Sequence, residues 1–464
     1  MVHHPFPAEF VWGVATSAYQ IEGASAEGGR GESIWEHFAR RPGAISDQSD
    51  GSRACDHYHR FREDVQVMGR LGVKAYRFSV AWPRVLPTGR GLPNPAGLDF
   101  YDLLVDTLLD AGIEPYLTLN HWDLPQALED EGGWAERGTV DAFVRYAEAV
   151  AYRLGDRVRH WVTHNEPWCI ATLGYETGEH APGRRDPAAA LRAAHHLLLS
   201  HGRAVPALRT FARGAEVGIV LNLVPAHAAS PSEADQQAAR SFDGSFNRWY
   251  LDPLFRGRYP EDAVADRVAR GHLAPGPLPF VQPGDLAHIG TPIDFLGVNY
   301  YSRAILRSDA VPEAQNAPRS IPAPAPEAMT DMGWEVYPDG LRETLLRVQR
   351  DYAPLRLYVT ENGCAYADGP DAGGRVADVR RIDYLRGHLA ACSQAIAGGV
   401  PLAGYFLWSL LDNFEWQFGY TRRFGAVWVD FETQQRLPKD SALWYRDAIA
   451  ANAVTDGELH QRSA

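Results

Sequence analysis

Two glutamates in this sequence stand at corresponding places, each just after a short apolar run. Glu166 ends the run "WVTHNE" and Glu361 ends the run "LYVTE". Both runs are rich in β-branched and aromatic residues, as buried strands are. Two carboxyl groups at the ends of two strands can act on one bond, one as an acid and the other as a nucleophile. The sequence therefore suggests chemistry by a glutamate pair, provided that the fold brings the two together.

The elements that must position these glutamates alternate between strands and helices. We predict eight strands that are apolar on both faces, as parallel strands covered by helices are. They cover residues 10–20, 73–82, 113–122, 159–166, 216–224, 293–301, 355–362 and 401–410. The helical periodicity between them is clearest over residues 56–72, 95–111, 138–156 and 378–398. Asn94 is a candidate N-cap of the second helix, and Pro95 occupies its first position.

Eight strand–helix units are explained most simply by one α/β domain over residues 1–464, a (β/α)₈ TIM barrel with long loops after its strands. An open, doubly wound sheet is the alternative, but the Gly-rich turn expected after its first strand is missing. We interpret the Pro-rich stretch 308–331 as a long loop on the barrel rim rather than a linker between domains. The polar tail after about residue 452 is expected to be frayed.

The composition excludes several classes of function. The formal net charge of −13 disfavours binding to nucleic acid or to an anionic membrane surface. The nucleotide-binding glycine motifs and the H-E-x-x-H zinc motif are missing, so we expect no cofactor and no metal ion. The four cysteines lack C-x-x-C spacing, and the sequence has no signal-peptide pattern, which favours a cytoplasmic protein. The oligomeric state, monomer or dimer, is left open.

Polar and aromatic residues end all eight predicted strands, and in a barrel these ends share one face. They include Gln20, Arg77, His121, Trp122, Asn165, Asn222, Asn299, Tyr301, Trp408, Glu415 and Trp416. Amide, imidazole and carboxyl groups match the hydroxyls of a sugar, and an indole ring stacks on the C–H face of a pyranose. Because the G-x-S-x-G elbow of serine hydrolases is also missing, a glutamate pair acting on a small-molecule glycoside is the best interpretation.

Over nearly its whole length the chain resembles family 1 of the glycoside hydrolases, the β-glucosidase family. The stretches that carry the resemblance are "FVWGVATSAYQIEG", "YRFSVAWPRVLPTG", "LNHWDLPQAL", "HNEPW", "FLGVNYYS", "YVTENG", "LDNFEWQFGYTRRFGAVWVD" and "PKDSALWY". The resemblance implies that Glu166 is the acid/base and Glu361 the nucleophile. It also implies hydrolysis of terminal β-D-glucosyl residues from β-glucosides and cello-oligosaccharides, with β-D-fucosides and β-D-galactosides as further candidate substrates.

The resemblance assigns the other site residues as well. Arg77 and Tyr301 would hold the carboxylate of the nucleophile, and Trp408 would form the stacking floor under the sugar. The remaining predicted sugar-binding residues are Gln20, His121, Trp122, Asn165, Asn299, Glu415, Trp416 and Phe424. The residues predicted to line the entrance, where the leaving group lies, are Trp168, His180, Asn222 and Trp334. A cis peptide bond is implied between Trp408 and Ser409.

The electrostatics of a glutamate pair agree with these roles. A negative Glu361 raises the proton affinity of Glu166, and this effect ends when Glu361 becomes a glycosyl ester. Glu166 can therefore act first as an acid and then as a base. We expect the carboxyl groups to lie about 5–5.5 Å apart and the anomeric configuration to be retained. Glu415 stands where phospho-β-glycosidases, which resemble this family, have a small residue, so we expect unphosphorylated substrates.

The sequence departs from the family pattern at two positions, His164 and Gln417. His164 occupies a place where apolar residues are usual, and strand alternation should point it away from Asn165, into the helical shell. A contact that tunes the pH profile is the alternative role for it. Gln417 replaces a small or acidic residue and is expected near the far edge of the sugar.

Three rival functions remain. A transglycosylase would share all these residues. A non-catalytic sugar-binding barrel is disfavoured because both glutamates are present, and a thioglucosidase because Glu166 is not Gln.

Overall fold

Eight parallel strands close into a barrel in the computed structural model, which describes residues 2–309, 321 and 324–455. The strands are β1 (Val11–Ala15), β2 (Ala75–Ser79), β3 (Glu114–Asn120), β4 (His160–Asn165), β5 (Glu216–Asn222), β6 (Phe295–Asn299), β7 (Leu357–Asn362) and β8 (Leu402–Trp408). Each strand pairs with the next one in the chain, and β8 closes the ring on β1. The (β/α)₈ prediction is confirmed. The first two strands were predicted much too long, since Ala18–Ile21 and Trp82–Val85 form helical turns.

Helices surround the barrel and follow the predicted periodicity. The four predicted helices are His57–Arg70, Pro95–Asp110, Gly138–Leu154 and Val379–Ala397. The other α-helices are Ile34–Ala39, Trp82–Val85, Gln126–Asp130, Pro187–Phe211, Glu233–Asp243, Trp249–Arg256, Glu261–Ala269, Asp285–Ile289, Pro338–Tyr352 and Asp440–Ala451. None of the helices in the described ranges is long and apolar enough to cross a membrane.

Shorter elements complete the described chain. Two π-helical segments are Cys169–Thr177 and Gly244–Arg248, and the 3₁₀ turns are Gly133–Ala135, Pro326–Ala328 and Trp416–Phe418. Three two-stranded sheets pair His3–Pro5 with Ala453–Thr455, Ala226–Ala228 with Ala304–Leu306, and Val427–Val429 with Arg436–Pro438.

The predicted N-cap is wrong, and the predicted tail begins with a short strand. Ala453–Thr455 forms an antiparallel ladder with His3–Pro5 that pairs its backbone groups. The rest of the predicted tail lies outside the described residues. Asn94 does not cap its helix, because its side-chain amide donates instead to the carbonyls of Gly28 (2.7 Å) and Arg84 (3.0 Å).

The predicted rim loop lies only partly in the described ranges. Residues 310–320, 322 and 323 fall outside them. In the described part, the backbone N–H of Asp331 donates to the carbonyl of Ala365, in the loop that follows β7 (3.0 Å). This contact places that part of the stretch at the carboxyl end of the barrel.

The barrel interior has its own layer of side chains. The rings of Tyr116 on β3 and Phe406 on β8 lie 4.8 Å apart, although these two strands are not neighbours. Both rings must therefore point inward. Leu117 and Leu407, the next residues along each strand, belong to the larger core that includes the helices. This alternation between interior and helical shell lets β-strands carry polar groups at their ends without disturbing the outer core.

A shift of register near the end of β4 interrupts the alternation. The pairing of β4 with β5 shifts between Val162 and Asn165. Val162 belongs to the inner layer, whereas Thr163 and His164 both bond side chains of the helix Pro187–Phe211. The extra residue returns Asn165 to the interior, as a β-bulge does.

Candidate active site

A cavity of about 620 Å³ opens at the carboxyl ends of the strands, and both Glu166 and Glu361 line it. Its size suits a small ligand. Of the other predicted site residues, those that line the cavity are His121, Trp122, Trp168, His180, Asn222, Asn299, Tyr301, Trp334, Trp408, Glu415, Trp416 and Phe424. Gln20, Arg77 and Asn165 lie behind this lining and contact it through hydrogen bonds. The structure therefore gathers the predicted residues at one end of one barrel.

Glu361 is held by two donors at the end of β7. Arg77 Nη1 lies 2.7 Å from Oε1, and the Tyr301 hydroxyl donates to Oε2 across 2.7 Å. The Arg77 and Glu361 side chains are only 1% and 4% exposed, so the ion pair is shielded from solvent. Burial raises the pKa of Glu361, while Arg77 and Tyr301 oppose the rise by stabilising the ionised form. Glu361 thus has the partners of a carboxylate that carries a negative charge.

Glu166 has different partners. Its Oε1 accepts a hydrogen bond from Asn299 Nδ2 (2.6 Å), and its Oε2 lies 3.0 Å from Cys169 Sγ. Both partners are neutral. Burial, followed by the nearby negative charge of Glu361, raises the pKa of Glu166 to about 7. When the two carboxyl groups share one proton, it therefore resides on Glu166.

A network of amides fixes the orientation of the groups around the pair. Asn165 Oδ1 accepts from Arg77 Nη2 (2.6 Å) and from Asn299 Nδ2 (3.1 Å), and Asn299 Oδ1 accepts from the Thr360 hydroxyl (2.7 Å). The Asn165 amide therefore directs its Nδ2 to Nε2 of His121 (3.1 Å). Burial lowers the pKa of His121 well below its usual value, so the ring is neutral and carries its hydrogen on Nδ1.

Glu415 and aromatic rings form a second part of the lining. The rings of His121 and Trp408 stack with centroids 5.7 Å apart, and those of Trp122 and Trp416 lie 4.5 Å apart. Burial, followed by the charges of Glu361 and Glu166, raises the pKa of Glu415 to about 8.

Gln20 supports Glu415 from behind. Its Nε2 lies 3.5 Å from Glu415 Oε2 and donates to the carbonyl of Phe414 (2.9 Å), and its Oε1 accepts from the Ser17 hydroxyl (2.5 Å). Gln20 is fully buried. It reaches this position because the chain turns into a helix after β1 instead of continuing the strand.

The backbone at the cavity is strained. Trp122, Glu166 and Trp416 have positive φ angles of 78°, 48° and 46°. Side chains with a Cβ rarely adopt this conformation, which costs about 1–2 kcal/mol per residue. All three residues line the cavity. The predicted cis peptide bond between Trp408 and Ser409 is confirmed.

The predicted entrance residues occupy three different places. Trp168 stacks on Phe246, with ring centroids 4.1 Å apart. His180 Nε2 pairs with Gln417 Oε1 (2.5 Å), and burial lowers the pKa of His180 to about 4. Trp334 lies against Tyr301 and Phe424 (5.2 and 6.3 Å between centroids).

Asn222 lies near Glu166 rather than only at the entrance. Its Nδ2 is 3.6 Å from Cys169 Sγ, and that sulfur contacts Glu166. Neither Cys169 nor Thr360, which holds Asn299, was expected from the sequence. Cys169 could have been found from its spacing, because Pro167 favours a helical start and a residue three places after Glu166 then lies over it.

His164 lies in the helical shell, as expected. Its Nδ1 is 3.0 Å from Asn120 Nδ2 and its Nε2 is 2.8 Å from the Ser200 hydroxyl. The ring stacks on Phe143 with centroids 4.3 Å apart. Burial lowers the pKa of His164 well below its usual value, so the ring is neutral.

Comparison with known proteins agrees with the geometry of the site. Residues 2–454 match the model of glycosyl hydrolase family 1. The chain belongs to this family. It is 46% identical over 447 residues to β-glucosidase A of Acetivibrio thermocellus, covering 96% of this chain and 98% of that one. It is 47% identical over 470 residues to a bifunctional β-D-glucosidase/β-D-fucosidase of Bifidobacterium breve, covering 97% and 99%.

Solved structures of the family share the fold. The family 1 β-glucosidase from Thermotoga maritima superposes with a TM-score of 0.91 at 45% identity, covering 98% of this chain and all of that one (100%). A psychrophilic β-glucosidase from Micrococcus antarcticus gives 0.92 at 48% identity, with the same 98% and 100% coverage. The family resemblance and the barrel predicted from the sequence are thus confirmed.

Proposed function

We propose that this family 1 protein is a retaining β-glucosidase that removes terminal β-D-glucosyl residues from β-glucosides and cello-oligosaccharides. β-D-Fucosides and β-D-galactosides are further substrates in this proposal. The observation that carries it is the unequal environment of two carboxyl groups on one cavity. Glu361 is paired with a guanidinium, while Glu166 has only neutral partners and a pKa of about 7.

In the first step, ionised Glu361 attacks the anomeric carbon as Glu166 gives its proton to the glycosidic oxygen. The bond to the leaving group breaks, an ester forms between Glu361 and the sugar, and the alcohol departs. Arg77 and Tyr301 hold the two oxygens of Glu361 (2.7 Å each), which fixes the direction of attack.

In the second step, water replaces the leaving group. The ester oxygen of Glu361 carries no negative charge, so the charge effect that raised the pKa of Glu166 is gone. Glu166, now ionised, takes a proton from the water as its oxygen attacks the anomeric carbon. Glu361 is released as a carboxylate. Two inversions leave the sugar in its original β configuration.

The lining residues would bind the sugar in this scheme. Trp408 provides a flat surface for the C–H face of a pyranose. Glu415 and the N–H of His121 face hydroxyl groups, and a protonated Glu415 can both donate and accept. The pKa of about 8 at Glu415 also means that this group gains negative charge at alkaline pH.

The test compares wild type with Glu166→Ala and Glu361→Ala on a panel of nitrophenyl β-glycosides. We expect β-glucoside hydrolysis by the wild type and a loss of turnover of at least ~10³-fold in Glu361→Ala with unchanged folding. The loss of turnover in Glu166→Ala should be smaller for a 2,4-dinitrophenyl β-glucoside, whose leaving group needs little protonation, than for a methyl β-glucoside. NMR spectra recorded early in the reaction should show the β anomer first. The α anomer first, or full activity in Glu361→Ala, would contradict the proposal.

We also propose that the protein acts in the cytoplasm as a monomer or dimer. All four cysteines are buried and free, which is compatible with a reducing compartment. The site residues described above come from one chain, which is compatible with a monomer. Cell fractionation and light scattering measure these two properties.

A further inference from the structure

Cys169 lies directly against the oxygen of Glu166 that faces away from the amide network. It stands in the first turn of the helical segment that follows β4, and its backbone N–H bonds the Glu166 carbonyl (2.9 Å). Its Sγ lies 3.0 Å from Glu166 Oε2. Cys169 lines the cavity, so the sulfur borders the space where the leaving group is protonated.

The amide network determines which oxygen of Glu166 can hold the catalytic proton. Oε1 accepts from Asn299 Nδ2 (2.6 Å). The Asn299 amide cannot turn to offer its oxygen, because Oδ1 is engaged by the Thr360 hydroxyl (2.7 Å). A proton on Oε1 would compete with this strong amide donor, whereas the neighbour of Oε2 is a thiol, which is a weak donor. The proton of Glu166 therefore lies on Oε2, the oxygen beside the sulfur.

The direction of the thiol hydrogen is also determined by its neighbours. Asn222 Nδ2 lies 3.6 Å from Sγ and can only donate, so the sulfur is the acceptor in that contact. The thiol hydrogen then points to Oε2 of Glu166. Burial, together with the charges of the glutamates, raises the pKa of Cys169 well above its usual value. The sulfur therefore remains a neutral thiol, and it can donate to the carboxylate but not compete with it as a base.

We propose that Cys169 is a positioning residue for Glu166, whose thiol gives a weak hydrogen bond to Oε2 and thereby balances the proton affinity of that oxygen. The inference rests on the function proposed above and extends it to a residue outside the glutamate pair. No proton of the thiol is transferred. In the first step the proton moves from Oε2 to the glycosidic oxygen, and in the second step it moves from water to Oε2.

The weakness of a thiol donor is the reason that this residue type suits the position. Glu166 has to hold a proton in the free enzyme and release it in each cycle. A hydroxyl would stabilise the ionised form more strongly and weaken the acid. An apolar side chain would leave ionised Oε2 without a donor and weaken the base. If Cys169 only filled space, Ser and Ala would change the stability of the protein but not the titration of Glu166.

The test measures the pH dependence of kcat/KM with 4-nitrophenyl β-D-glucoside for wild type, Cys169→Ala and Cys169→Ser. Cys392→Ala is the matched control, because Cys392 is buried on the helix Val379–Ala397, outside the lining of the cavity. We expect the alkaline limb to move up by about half a pH unit in Cys169→Ala and down by a similar amount in Cys169→Ser. Cys392→Ala should leave the alkaline limb where it is in the wild type.

Opposite shifts in the two variants support the proposal, and equal profiles in all four proteins would overturn it. Shifts of the same sign in Ala and Ser would also overturn it. If Cys169→Ser does not fold, Cys169→Ala decides alone. An upward shift of its alkaline limb supports the proposal, and a downward shift or no shift overturns it. A wild type without glucosidase activity would instead refute the proposed function itself.

Infrared spectroscopy gives a second readout that packing alone would not change. The S–H stretching band of Cys169 is identified by its loss in Cys169→Ala. We expect this band to shift with the titration of Glu166 in the wild type and to lose that pH dependence in Glu166→Gln. A band that is independent of pH in the wild type would contradict the hydrogen bond to Oε2.

Discussion

Replacing Glu361 with Gln should lower the pKa of Glu166, because the change removes a negative charge but leaves the burial of Glu166 almost the same. Two unit charges about 5 Å apart in an effective dielectric of about 20 interact by about 3 kcal/mol, which corresponds to about two pKa units. The pKa of Glu166, about 7 in the free protein, should therefore fall to ~5 in the variant.

The assay is a ¹³C NMR titration of protein labelled at the glutamate carboxyl carbons. Glu166 is assigned by the loss of its signal in Glu166→Gln. Glu415→Gln is the control, because it removes a different carboxyl group from the same cavity. Glu361, but not Glu415, is a leading cause of the raised pKa of Glu166. We therefore expect a clearly smaller shift in the control than in Glu361→Gln.

The result bears directly on how one residue can be both acid and base. In the proposed mechanism, formation of the glycosyl ester neutralises Glu361, as the Gln substitution does. If the pKa of Glu166 falls in Glu361→Gln, the loss of that charge is sufficient to release the proton after the first step. A pKa that stays within about 0.3 units of the wild-type value would show that burial alone sets it. An equally large shift in Glu415→Gln would also refute the reasoning.

Three further predictions concern one residue of the site, Arg77, and two buried residues outside the lining of the cavity. Arg77→Met should raise the pKa of Glu361, moving the acid limb of kcat/KM to higher pH by at least about one unit and lowering activity at least ~100-fold; an acid limb that stays in place would contradict the assigned ion pair. His164→Leu should cost about 2 kcal/mol of unfolding free energy in urea, because the buried Asn120 amide and the Ser200 hydroxyl each lose a hydrogen bond, without moving the pH profile; a moved profile would favour the tuning role. Lys439→Met should cost about 2 kcal/mol, because buried Asp412 loses an ammonium group 2.9 Å away and keeps the Arg423 guanidinium at 2.8 Å, and calorimetry showing a loss below about 0.5 kcal/mol would contradict this.

The elements of the barrel could be predicted because their local patterns agree with the fold. Strands buried on both faces read as short apolar runs, and the covering helices keep a 3.6-residue period. The ends of elements were less predictable. Asn94 has the side chain of a cap but bonds two carbonyls of other segments, and Ala453–Thr455 depends on a partner at the other end of the chain. Such contacts depend on distant residues, which a local pattern does not include.

The identity of the site residues follows from the sequence, but their geometry does not. Glu166 and Glu361 stand out because both follow buried runs of the same kind. The positive φ angles of Trp122, Glu166 and Trp416 have no local signal, since none of these residues prefers that conformation. In the sequence Cys169 is an isolated cysteine, and only the turn after β4 brings its Sγ to 3.0 Å from Glu166 Oε2.

The sequence by itself determined the barrel, the glutamate pair and the sugar-binding character predicted for the strand ends, because these depend on residue types and their periods along the chain. The tertiary structure decided which groups meet. The register shift in β4 sends His164 to the helices and returns Asn165 to the barrel interior. The bond of Arg77 keeps Glu361 an anion, and burial beside that charge leaves Glu166 its proton. Such differences arise from distances of a few ångströms between distant segments, and only packing sets those distances.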